Sequence, residues 1–291
     1  MHATVNGARI YFDVDGAGSV PSGTSMTEQP TLLVLHGGPG ADHSYFKPWL
    51  DPLAAAAQLI YIDHRGNGRS QRTGPSTYTI AQMADDLEAL RQLLGLGRVH
   101  VLGHSFGGMV ALTYALRHPA GLEALVACTT TPSYGFRSDA WAIAERTATP
   151  EQLSVLSTLF DGELTTDEEH EEWWRVCLPL YFHRPDDRIC AELLGRERPQ
   201  LEVVNHMMAT QIPRFDVVAD LPSINVPTLV IAGRHDWVTP VSQAEVMASR
   251  IPGARLAVFE NSGHFPFIED HDEFVDVLGG FVAESKARAA V

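Results

Sequence analysis

Residues 99–108 read Val99-His100-Val101-Leu102-Gly103-His104-Ser105-Phe106-Gly107-Gly108. The apolar start is short enough for a buried strand, and Met109 to Arg117 continues with helical spacing. Between them lies Gly-x-Ser-x-Gly, so a strand, a glycine-flanked serine and a helix follow in the order a nucleophile elbow requires. Such a turn brings the flanking backbones together, and Gly103 and Gly107 remove two Cβ atoms from the approach. Ser105 is then expected above the sheet edge, beside the unsatisfied N–H groups of a helix N-terminus.

Working outward, Ala8 to Val14 alternates weakly and reads as an edge strand, and Gly16 to Pro30 reads as an exposed loop. Thr31–Leu35, Leu59–Ile62, Leu122–Cys128, Thr228–Ala232 and Arg255–Phe259 read as further strands. Thr79 starts a helix that carries Ile80, Met83, Leu87, Leu90 and Leu94 at helical spacing and stops at Gly95. Strands and helices that alternate at this interval predict an α/β chain with a mainly parallel, doubly wound sheet. From Thr131 to Leu221 the rhythm changes to helical, charged segments: Trp141–Arg146, Glu151–Phe160, Asp167–Leu178 and Arg188–His206. The expected organisation is a core at 1–131 and 222–291 with a helical cap insertion at 132–221.

The totals narrow the partners. The chain has 291 residues and a formal net charge of −15, and its only lysines are Lys47 and Lys286. That balance argues against nucleic acid and anionic membrane. Cys128, Cys177 and Cys190 lack metal-ligand spacing and read as reduced thiols. No stretch approaches the roughly 18 apolar residues of a membrane span. Met1–Phe12 has no basic region followed by a long apolar run, so no signal peptide and a cytoplasmic location are expected.

A serine hydroxyl needs a base, and the base an orienting acid. On this kind of elbow they follow in the order serine, acid, histidine. Asp236, just after strand Thr228–Ala232, is the expected acid; His264, after strand Leu256–Phe259, is the expected base. His104 adjoins the serine but should point away from it, and His235 reads as a loop residue. Asp63 also ends a strand, yet Arg65 two residues on suggests a structural ion pair. Two backbone donors must face the oxyanion: Phe106 N–H follows the nucleophile, and Gly38 in His36-Gly37-Gly38-Pro39-Gly40 is the second. His36 is expected to shape that loop. Trp237, Phe265, Trp141, Trp173 and Tyr181 are candidate pocket walls, with core packing the competing role for the aromatics of the insertion. No cofactor and no metal are expected.

These pieces resemble an α/β-hydrolase, and over nearly the whole chain its proline iminopeptidase branch. The matching stretches are His36–Gly40, Asp63-His64-Arg65-Gly66 with Gly68-Arg69-Ser70, Gly103–Gly108, Gly233-Arg234-His235-Asp236 and Gly263-His264. The resemblance implies a serine hydrolase with a capped core, acting on a small-molecule ester, lactone or amide with apolar flanks. It departs at Trp237, where the aminopeptidases commonly carry an acidic residue that holds the substrate's α-ammonium group; Glu171, Glu172 and Glu202 are the acidic candidates left in the insertion. Proline iminopeptidase activity, a haloperoxidase or C–C bond hydrolase, and a ligand receptor that keeps the triad all remain open. Epoxide and haloalkane hydrolases need a carboxylate where Ser105 stands.

Overall fold

A computed structural model describes residues 1–161, 164–196, 198 and 200–289. The chain opens with β1 (His2–Val5), β2 (Ala8–Asp15), β3 (Ser19–Ser22), β4 (Ser25–Glu28), β5 (Thr31–Leu35) and β6 (Gln58–Ile62). Helix α1 (Ile80–Leu93), β7 (Val99–His104), α2 (Phe106–Arg117) and β8 (Leu122–Cys128) follow. Five helices come next: α3 (Phe136–Thr147), α4 (Pro150–Phe160), α5 (Asp167–Cys177), α6 (Asp187–Arg196) and α7 (Leu201–Thr210). The chain closes with β9 (Thr228–Gly233), α8 (Val241–Arg250), β10 (Arg255–Phe259), α9 (Pro266–Glu269) and α10 (His271–Ala289).

Eight strands form one sheet in the order β1-β2-β6-β5-β7-β8-β9-β10. The β1–β2 and β2–β6 pairs are antiparallel and every other pair is parallel. Strands β7 and β9 are buried along their whole length, as expected where helices cover both faces of a parallel sheet. The edge strand β10 is partly exposed. Thr79 caps α1, its hydroxyl accepting the Gln82 N–H at 3.0 Å. Thr149 and Thr166 open α4 and α5 with reciprocal capping boxes to Gln152 and Glu169.

Three expectations change. β2 is not an edge strand, because the four residues of β1 pair outside it; so short a strand carries too few alternations to register. The segment expected as a loop is exposed but folded: β3 and β4 pair antiparallel across Gly23–Thr24. The single helix expected at Arg188–His206 is two helices, and the sequence places Pro199, which has no N–H to donate, between them.

The helical stretch between β8 and β9 leaves and returns at one point. Tyr134 N–H donates to the Phe215 carbonyl at 2.8 Å and Val217 N–H to that of Pro132 at 2.9 Å, around an antiparallel bridge between Ser133 and Asp216. Two more bonds tie it to the sheet side: Gln200 N–H to the Gly40 carbonyl at 3.1 Å, and His264 N–H to the Tyr181 carbonyl at 2.7 Å.

Candidate active site

Ser105 sits between β7 and α2 with φ 55° and ψ −122°, a left-handed conformation that non-glycine residues rarely adopt. The surroundings hold it there. Its N–H donates to the Cys128 carbonyl at 3.0 Å, and its carbonyl accepts Thr130 Oγ1 at 2.7 Å and Gly108 N–H at 2.8 Å. The approach that the flanking glycines allow is real: a Cβ on Gly107 would lie 2.4 Å from the Leu35 carbonyl oxygen, and one on Gly103 2.3 Å from that of Gly107. Phe106 is the first residue of α2, so its N–H has no carbonyl within the helix to meet.

Asp236 and His264 come from the loops after β9 and β10 and meet in the interior. His264 Nδ1–H donates to Asp236 Oδ2 at 2.8 Å, with both side chains almost wholly buried. The carboxylate also accepts Thr239 Oγ1 at 2.7 Å and the N–H groups of Val238 and Thr239 at 2.8 and 3.1 Å. A carboxylate held from four directions fixes the imidazole tautomer and leaves Nε2 for other work.

The neighbouring histidines serve the frame. His104 Nε2–H donates to the His264 carbonyl at 2.9 Å, and its Nδ1 accepts the Tyr45 hydroxyl at 2.8 Å. Tyr45 oxygen in turn accepts Gly37 N–H at 2.5 Å, so one chain of hydrogen bonds runs from the Gly37–Gly38 loop to the backbone of His264. Burial, then the electrostatic effect of the neighbouring His264 ring, hold His104 well below the usual imidazole range, and the His104 ring stays neutral. His36 donates from Nδ1 to the Gly37 carbonyl at 2.7 Å and accepts His64 N–H at 3.1 Å, which shapes the loop as expected. The Asp63 expectation is corrected. Arg65 pairs with Asp86 at 2.6 Å, while Asp63 bonds His43 Nδ1 at 2.6 Å. Burial alone would raise the Asp63 carboxyl, but the bonds to His43 and Arg69 N–H bring it down to about 2. Asp42, His43 and Asp63 bring possible ligand atoms within 4.8 Å of one another, yet the Arg69 guanidinium already lies 3.6 and 3.8 Å from the two carboxylates.

Ser105, His264, Gly38 and Phe106 all line one cavity of about 80 Å³, walled mainly by apolar side chains of the sheet side and of the helical stretch. Tyr181 and Phe265 stand in its wall, as the sequence suggests. Trp237, Trp141 and Trp173 do not. Trp237 is buried and belongs to a different hollow beside Asp236, Trp141 bonds Glu145 near the surface at 3.1 Å, and Trp173 packs inside the helices with its Nε1–H on the Val155 carbonyl at 2.9 Å. Glu171, Glu172 and Glu202 are exposed, and no acidic side chain lines the cavity among the described residues. Trp174, one of the insertion's aromatics that the sequence offers as a pocket wall, does line it, while sequence reading missed His170, Leu193 and Met208, which line it too. Their spacing marks a buried helix face without saying what that face meets.

Comparison with known proteins bears on the family and the fold. Residues 30–271 match the family model described as alpha/beta hydrolase fold. The chain is 31% identical over 267 residues to a proline iminopeptidase of Saccharolobus solfataricus, covering 86% of this chain and 84% of that one. An esterase from Exiguobacterium antarcticum superposes with TM-score 0.76 at 25% identity over 96% of this chain and 97% of its own. Est816, described as an N-acyl homoserine lactone degrading enzyme, superposes with TM-score 0.72 at 26% identity over 97% and 100%.

Proposed function

The chain belongs to the alpha/beta hydrolase fold family, and from that premise we propose that it is a serine hydrolase of small esters, lactones or amides with apolar flanks. The observation that carries the reading is the buried His264–Asp236 bond of 2.8 Å behind an apolar cavity that Ser105 and His264 both line. In this mechanism Ser105 Oγ attacks the substrate carbonyl while His264 Nε2 takes its proton. Asp236 holds the ring and stabilises the imidazolium. The N–H groups of Gly38 and Phe106 receive the oxyanion, each worth on the order of 10²–10³ in turnover. His264 then protonates the leaving group and activates the water that releases the acyl group. Residues 132–221 act as a cap over the cavity, and their clasp at Ser133–Asp216 is the neck on which it is hung.

Labelling with a fluorophosphonate and a panel of p-nitrophenyl esters tests this. The wild-type chain should label and turn over; Ser105→Ala should abolish labelling and cut turnover by about 10⁴ or more. Hydrolysis that survives in S105A would remove the proposal. The similarity to a proline iminopeptidase favours a second reading, release of N-terminal proline. Against it stands the cavity wall, which carries no carboxylate among the described residues to meet a desolvated ammonium. Turnover of a prolyl chromogenic amide above that of an acyl ester of equal size would reverse the preference.

A further inference from the structure

His170 stands in the wall of the Ser105 cavity, on α5, and is only 2% exposed. Trp174, one turn along, gives its Nε1–H to His170 Nε2 at 3.1 Å. An indole nitrogen can only donate, so Nε2 is the acceptor and the proton of the neutral ring sits on Nδ1. That Nδ1–H is buried and has no partner. Elsewhere in the wall Tyr45 and His104 bond each other, and Thr239 donates to Asp236. Among the described residues, His170 alone combines a buried unpartnered nitrogen with a place in this wall. Burial lowers its pKa to about 4, so the ring offers a donor without a charge near neutral pH.

We propose that His170 Nδ1–H is a specificity-determining donor that reads one neutral hydrogen-bond acceptor, a carbonyl, ester or ether oxygen, on a part of the substrate remote from the scissile bond. The inference rests on the hydrolase reading and deepens it. Remoteness is read from the order of contacts: the chain of ring contacts from His170 reaches His264 through Trp174 and Tyr181, with centroids 6.3, 5.3 and 5.3 Å apart along it. An acceptor is preferred over an ion because a neutral donor among apolar walls cannot compensate a desolvated charge. A substrate lacking the acceptor leaves the donor unpaired, and that is where discrimination arises.

The test uses hexyl hexanoate and analogues with one oxo group moved along either the acyl or the alcohol chain, against wild type, His170→Phe and His170→Asn. The Asn side chain keeps a donor near the Nδ1 position but, like Phe, removes the acceptor for Trp174. In H170F, KM for at least one oxo ester should rise about tenfold while KM for the plain ester holds or falls. H170N should recover most of that difference. Melting temperatures of the three chains separate a folding effect from a binding one. Equal shifts across all esters, or identical behaviour of H170F and H170N, would overturn the proposal. Turnover of the plain ester that is lost in S105A tests the hydrolase reading separately, so its failure is told apart from a failure of the His170 proposal.

Discussion

Asp236 accepts hydrogen bonds from His264 Nδ1, Thr239 Oγ1 and two backbone N–H groups, and each fixes a different lone pair. Asp236→Asn keeps the volume but places an amide against groups that all donate. The imidazole then turns over its tautomer, and kcat is expected to fall roughly 10⁴-fold with little change in KM. Steady-state kinetics on one activated ester decide it; a loss of tenfold or less would mean that Asp236 does not orient the base. The same scale shows why Asp63 misled the sequence reading. Arg65 lies two residues on, but past the end of β6 chain proximity no longer predicts contact, and the guanidinium reaches Asp86 on α1 instead. Trp141, Trp173 and Trp237 fall outside the cavity for a related reason. Their bulk marks them as buried or half-buried, while the direction each ring takes depends on how helices pack, which residue type does not encode.

At the scale of elements, the strands were legible because a strand covered on both faces is mainly apolar, and β5, β7, β8 and β9 are. Ser105, Asp236 and His264 follow the carboxyl ends of β7, β9 and β10, the rim that strand order and residue type foretold together. The β3–β4 hairpin, exposed on nearly every residue, had no hydrophobic pattern to betray it. Close approach of β5 to the start of α2 gives an element-level prediction. Gly107→Ala puts a Cβ 2.4 and 2.5 Å from the carbonyl oxygens of Leu35 and His36, neither of which can swing aside. Destabilisation of about 1–3 kcal/mol is expected, with activity lost as the elbow shifts. Gly280→Ala in α10, where nothing lies within 4 Å, should instead hold or raise stability by about 0.5–1 kcal/mol. Chemical denaturation of both variants provides the check, and a G107A protein as stable as wild type would contradict the packing described.

Across the whole molecule, buried imidazoles set the response to acid. Burial brings His100 and His170 to about 4, and pulls His36, His64 and His104 below the ordinary value near 6.5. The unfolded chain therefore binds more protons than the native one below about pH 6.5. Stability should be full above that pH and fall continuously towards pH 4. Asp63, at about 2 when folded, loses its contribution only below the ordinary carboxylate range, between about pH 4 and 2. Calorimetry from pH 8 to pH 4 is expected to show the melting temperature dropping from about pH 6.5 downward; a flat profile between pH 7 and 5 would contradict the neutral, buried state of these rings.

The bond from His264 N–H to the Tyr181 carbonyl joins the loop of the base to the helical stretch above it. If that stretch lifts to admit substrate, it must either carry the loop along or let go of this one bond, leaving the loop held by His104 Nε2–H and Thr129 Oγ1 on the His264 carbonyl and by Asp236 on the ring. Raising such a roof would cost the base one of its tethers and leave the others in place.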